Sequence, residues 1–215
     1  MNRYIREPIN GLTHLVGAIL SFIALLAMTI KASMNIGTIS AILSVIIFGI
    51  SMILLYSASA TYHMVVARDH IIAWLRKLDH AMIFMLIAGT YTPFCLITLN
   101  GPVGWSLLAI IWLTAISGIL FKLIWFTCPR WLSTVLYIVM GWIIVVVAAP
   151  LLANMAKMGV FLLLAGGIVY TVGGIIYAIK PRWLNLKHMG FHEIFHLFIL
   201  AGSLLHFISI YYYVL

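Results

Sequence analysis

Acidic side chains are nearly absent from this chain. Asp and Glu number 4 in 215 residues, and with 12 Lys and Arg the charged share is only 7%. A soluble domain carries about 25% charged residues, so there is too little charge here to cover a water-facing surface. The hydrophobic share, 65%, must therefore meet lipid. Cysteine is also scarce: Cys95 and Cys128 are the whole complement, which excludes a disulfide framework. The apolar runs are uniform rather than alternating over ~10 residues, which excludes a transmembrane β-barrel. A P-loop, a dinucleotide fingerprint and a nucleic-acid module are absent too. The net charge of +8 thus needs a reading other than nucleic acid as a partner.

Apolar runs dominate what remains. A bilayer core of ~30 Å takes ~20 residues per helix, so this length allows at most seven or eight spans. Seven are visible, at Leu12–Ile30, Ile39–Tyr62, Ala81–Leu99, Trp105–Phe126, Leu132–Ala149, Gly159–Ile179 and Phe191–Leu215. Between them lie Gly, Pro, Asn and charged residues, the ordinary chemistry of turns at an interface. The pattern predicts an all-α membrane protein with one seven-helix transmembrane domain over residues 1–215. Arg3 and Arg6 precede the first run as in a signal peptide. Its length, its His14 and the lack of a small-residue cleavage site mark it as a retained helix.

Orientation follows from the basic residues. With the N-terminus cytoplasmic, Arg3, Arg6, Arg68, Arg76, Lys77, Lys122, Arg130, Lys180, Arg182 and Lys187 fall inside, and only Lys31 and Lys157 fall outside. Basic residues gather on the cytoplasmic side, so the C-terminus is expected outside. The excess of +8 is then a label of sidedness. Cys95 and Cys128 fall near opposite faces and cannot pair.

The rare polar residues cluster under this topology. The four acids are Glu7, Asp69, Asp79 and Glu193, and His14, His63, His70, His80, His192 and His196 join them near the inner helix ends. An ionisable group within a span costs ~2.5–3.5 kcal/mol even on the gentlest scale, so such groups persist where they face one another, water or a metal. His192 and His196 are four apart and project from one helix face. Ser59 and His63 share that spacing at the end of the second span, and Asp79 is expected to open the third just across a short loop. Three neutral imidazoles with an open position describe a catalytic type of zinc site. A carboxylate such as Asp79 can hold a water there or orient a ligand.

Other residues on these segments have different expectations. His206 lies ten residues beyond His196, ~15 Å along a helix, which suits a separate buried hydrogen bond better than a fourth ligand. His70 and His188 read as interfacial loop residues, while His14 and His80 are neighbours of the site. His192-Glu193-Ile194-Phe195-His196 also spells H-E-x-x-H, in which the glutamate is the general base of a metalloprotease. Against it, Gly202 stands where a longer motif of that class places its third histidine, and Glu193 suits the positive end of a helix dipole. Gly166-Gly167 and Gly173-Gly174 suggest close packing of the sixth helix.

The combined motifs resemble the bacterial haemolysin III proteins, within the progestin and adipoQ receptor family. The resemblance runs from Glu7 to Phe207, through Glu7-Pro8-Ile9-Asn10-Gly11-Leu12-Thr13-His14, Ser59-Ala60-Thr61-Tyr62-His63, Leu78-Asp79-His80, Gly89-Thr90-Tyr91-Thr92-Pro93-Phe94, the His192–His196 segment and Leu205-His206-Phe207. It implies a seven-helix fold in the bacterial plasma membrane, with Zn2+ on His63, His192 and His196. It places Ser59 and Asp79 beside the metal, as in the adiponectin-receptor branch. The wider superfamily includes alkaline ceramidases, which implies hydrolysis of a lipid amide or ester, or a lipid sensor derived from such an enzyme. A membrane lipid is then the substrate or ligand, and Asp79 and Ser59 are the catalytic candidates. Two other expectations compete: a non-enzymatic receptor-like or cytolytic protein whose zinc is structural, and the intramembrane metalloprotease.

Overall fold

A computed structural model describes residues 4–125, 127–184 and 189–215. Arg3, Phe126, Lys187 and His188, which enter the expectations above, lie outside the described residues. Seven helices are long and apolar enough to cross a bilayer: α1 (Pro8–Asn35), α2 (Ile39–Met64), α3 (Asp69–Thr98), α4 (Pro102–Ile124), α5 (Arg130–Asn154), α6 (Lys157–Ile179) and α7 (Phe191–Tyr213). No strand occurs among the described residues.

Local chemistry sets the helix ends. Pro8 and Pro102 open α1 and α4, where a missing N–H costs nothing because it would be unpaired anyway. Thr38 caps α2 by accepting the Ala41 N–H at 3.4 Å, and Gly101, at φ +109°, supplies the tight turn into α4. α1, α3 and α5 run past the expected bounds by four residues or more. α3 begins at Asp69 rather than Ala81, because its first turns carry a short apolar run, Ile71–Leu75, between charged residues, with Asp69 favouring the positive end of the dipole. Asp79 therefore lies three turns inside α3 and does not open it. α5 continues through Pro150 to Asn154, with a 3-10 stretch at Ile143–Val147. That tighter winding precedes the proline, which cannot donate to the carbonyl four residues back.

A tyrosine from α3 repairs this break. Tyr91 Oη lies 3.0 and 2.7 Å from the Met140 and Gly141 carbonyls, to which it donates, and accepts the Ile144 N–H at 2.8 Å. In lipid, backbone groups released from a helix must find such partners.

The helices form a ring. α1 packs on α2, α2 on α3, α5 on α6 and α6 on α7, and α7 returns to α1, while α4 lies outside against α3. Lipid-facing side chains such as Ile19, Leu113 and Phe161 are more than half exposed. The paired glycines of α6 divide their roles. A Cβ on Gly166 would meet the His206 ring, and one on Gly173 would come 2.7 Å from Phe198, so these two let α7 approach. Gly167 would meet nothing within 4 Å and lines a central cavity.

Candidate metal centre

The site sits at the end of the ring that carries the N-terminus. The last turn of α2 contributes His63, and the first turns of α7 contribute His192 and His196 at helical spacing. One nitrogen from each lies within 4.8 Å of the others, and the ring centroids are 4.8–5.0 Å apart. His63 and His196 are fully buried, and His63 Nε2 and His196 Nδ1 lack any hydrogen-bond partner. Buried polar atoms normally find one. Three imidazoles that bring one nitrogen each this close together are the donor set that Zn2+ takes, so the residues fit the ion.

Glu7 orients the first of these rings. Its Oε2 accepts the His63 Nδ1–H at 2.7 Å, which fixes the tautomer and leaves the Nε2 lone pair toward the other two histidines. A carboxylate behind a histidine is the usual outer support of a metal-binding ring. The segment that delivers Glu7 is itself anchored to the end of α2. The Glu7 N–H donates to the His63 carbonyl at 2.9 Å, and Arg6 donates to the Tyr62 carbonyl at 2.6 Å while its guanidinium lies 4.3 Å over the Tyr62 ring. The hydrogen bond from His63, aided by Asn10 and the nearby Arg6 cation, holds the Glu7 carboxyl at about 2, well below its ordinary value.

Asn10 joins the two ends of the site, donating to Glu7 Oε2 at 3.2 Å and to Glu193 Oε1 at 3.0 Å. The other Glu193 oxygen accepts the Gly190 N–H at 2.8 Å. Glu193 is thus engaged in capping α7 and supporting Asn10, which argues against the general-base role that H-E-x-x-H would require.

Ser59 and Asp79 line a cavity of about 170 Å³ together with His192 and His196. Ser59 is buried, its hydroxyl unpartnered, and Asp79 retains 13% side-chain exposure. The cavity continues between α3, α5, α6 and α7 along apolar groups such as Ile83, Ile87 and Leu163. The remaining histidines separate by their partners. His80 is satisfied on both nitrogens, by the Arg76 carbonyl at 2.8 Å and the Tyr177 hydroxyl at 3.0 Å. His206 donates to the Leu163 carbonyl at 3.0 Å, and His70 is exposed. His14 stacks on His196 with centroids 3.7 Å apart, and neither of its nitrogens has a partner.

Spacing along the sequence brought His63, His192 and His196 forward but gave Glu7 and Asn10 no role. The available signal was Glu7 itself, one of four acids, placed directly before α1.

Comparisons with known proteins agree over nearly the whole length. The family described as Haemolysin-III related matches residues 2–207. Hemolysin-3 of Bacillus cereus is 46% identical over 218 residues, covering 100% of this chain and 95% of that protein. The Hemolysin-3 homolog of Bacillus subtilis (strain 168) is 41% identical over 210 residues, with 97% and 95% covered. This seven-helix integral membrane protein belongs to the haemolysin III family.

Proposed function

We propose that the chain is a zinc-dependent hydrolase of a membrane-lipid amide or ester, acting near the cytoplasmic face. One observation carries the reading: three imidazoles bring one nitrogen each within 4.8 Å of the others, and two of them, His192 and His196, line a cavity that continues along apolar groups. His63, His192 and His196 would hold the ion, with Glu7 fixing the His63 ring. Bound there, Zn2+ supplies Lewis-acid polarisation of a carbonyl and lowers the pKa of a water. Asp79 is the residue to accept a proton, since it is the acid that lines the same cavity. The Ser59 hydroxyl lines the same cavity and is the group to orient a carbonyl oxygen. The apolar walls accept an acyl chain and exclude water. The excess of basic residues on the N-terminal side supports the cytoplasmic placement.

The test is metal analysis of purified protein, coupled to a lipid-product screen in reconstituted vesicles. Wild type is expected to carry one zinc per chain and to release a fatty acid, while Asp79→Asn keeps the zinc and stops release. Identical lipid profiles for the two proteins would overturn hydrolysis and leave a lipid sensor. The relatives' name, Hemolysin-3, supports a second reading, action on red-cell membranes. Lysis of erythrocytes by purified protein that persists in His192→Ala would separate such an activity from the histidine site.

A further inference from the structure

The mouth of the cavity is strongly basic. Arg76, Lys122 and Arg130 line the central cavity, where Asp79 is the one acid among the lining residues. A second cavity of about 260 Å³ shares Arg76, His80, Arg130, Tyr177 and His192 with the first, and adds Lys180 and Glu7. Four cations (Arg76, Lys122, Arg130, Lys180) therefore surround the approach to the histidines, against two carboxylates (Asp79, Glu7). Glu7 is already engaged by His63 and Arg6.

Sidedness alone does not account for this placement. Basic residues that label the inner face sit on loops or extend their heads to the interface. Lys122 is only 3% exposed and turns inward, its ammonium donating to Ser133 Oγ at 2.8 Å and lying 3.5 Å from Cys128 Sγ. Arg130 heads α5, the end of a helix at which a cation is least favoured, and its guanidinium lies 5.6 Å over the Tyr177 ring.

We propose that the ligand of this cavity is a bilayer lipid with an anionic head, held by Lys122, Arg130 and Arg76 while its chain follows the apolar walls. The inference rests on the hydrolase-or-sensor reading only for the place where a reacting bond would lie. It names the substrate class: a phosphodiester or carboxylate amphiphile in preference to a neutral or zwitterionic one.

The test is competition binding by the full-length protein in neutral detergent, with pyrene-labelled phosphatidylglycerol as probe. Unlabelled phosphatidylglycerol, dodecanoate, phosphatidylcholine and inorganic phosphate serve as competitors. Phosphatidylglycerol or dodecanoate is expected to displace the probe at least about tenfold better than phosphatidylcholine, the worth of one charge-assisted hydrogen bond. Lys122→Met and Arg130→Gln are expected to remove that preference while keeping zinc content and melting temperature, and Lys157→Met, exposed at the opposite end, to keep it. Equal displacement by phosphatidylcholine, or inorganic phosphate competing as well as the lipids, would overturn the proposal. If either cavity variant misfolds, the other carries the comparison, and wild-type selectivity alone still decides against it when absent. Product release scored on the same samples separates the two readings. Selective binding without release leaves this inference standing and removes hydrolysis, and release from neutral ceramide without anionic preference does the reverse.

Discussion

α7 carries two polar regions ten residues apart, and they solve the problem of polarity in lipid in opposite ways. In the deeper one, the Tyr56 and Tyr170 hydroxyls meet Ser203 Oγ at 2.6 and 2.7 Å, and Ser209 donates to the Gly159 carbonyl at 2.9 Å. His206 donates to Leu163 across the same interface through Nε2, and its Nδ1 is the single ring nitrogen there with no partner. These hydroxyls are spent on holding α2, α6 and α7 together. In the region near the N-terminal end, His14, His63 and His196 keep bare nitrogens although all three are buried. Helices of one bundle can satisfy their polar groups internally, so leaving a set unsatisfied at one place marks where something else is meant to bind.

The contrast can be broken experimentally, most severely at the histidines. His192→Ala or His196→Ala is expected to abolish stoichiometric zinc, read by metal analysis, and retention of the ion in both would end the proposed site. Glu7→Gln comes next: loss of the carboxylate behind His63 is expected to weaken zinc by about 10–100-fold, measured by competition against a chromophoric chelator. Gly167→Leu should project into the cavity, which Gly167 lines and where a Cβ meets nothing within 4 Å. Lipid turnover or binding should fall severalfold while zinc content and melting temperature hold. The smallest effect belongs to the deeper region, where Tyr56→Phe removes a hydroxyl shared between Ser203 Oγ and the Ile199 carbonyl, such interhelical contacts being worth about 0.6 kcal/mol in a membrane bundle. Its signature is a slight loss of thermal stability with zinc untouched, and a loss of zinc there would erase the distinction between the two regions.

Much of this arrangement is legible in the residues themselves. Bilayer thickness imposes a length on each span, so seven apolar runs become seven helices. The i,i+4 pair on α7 and the matching depth of His63 likewise single out the histidines. Helix ends are less legible. The turns at Asp69–Lys77 belong to α3 although their apolar stretch, Ile71–Leu75, is too short to read as a span, and Pro150 sits inside α5 because Tyr91 supports the preceding break. Glu7 and Lys122 were hidden for a different reason. The role of Glu7 depends on a contact 56 residues away in sequence, which local spacing cannot express. Lys122 counts equally well as an inside label until its burial is seen.

The Tyr91 contact has an evolutionary consequence. One partner is a side chain with a codon of its own, whereas the other is the main chain of residues 140–144, which every amino acid but proline supplies alike. Drift at Met140, Gly141 or Ile144 can reshape the wall of the cavity and leave the contact intact. Drift at position 91 cannot, because phenylalanine would leave two carbonyls and an amide without their partner in the lipid interior. The wall is therefore free to diversify around a single fixed phenol, and new ligand preferences can arise there without a new fold.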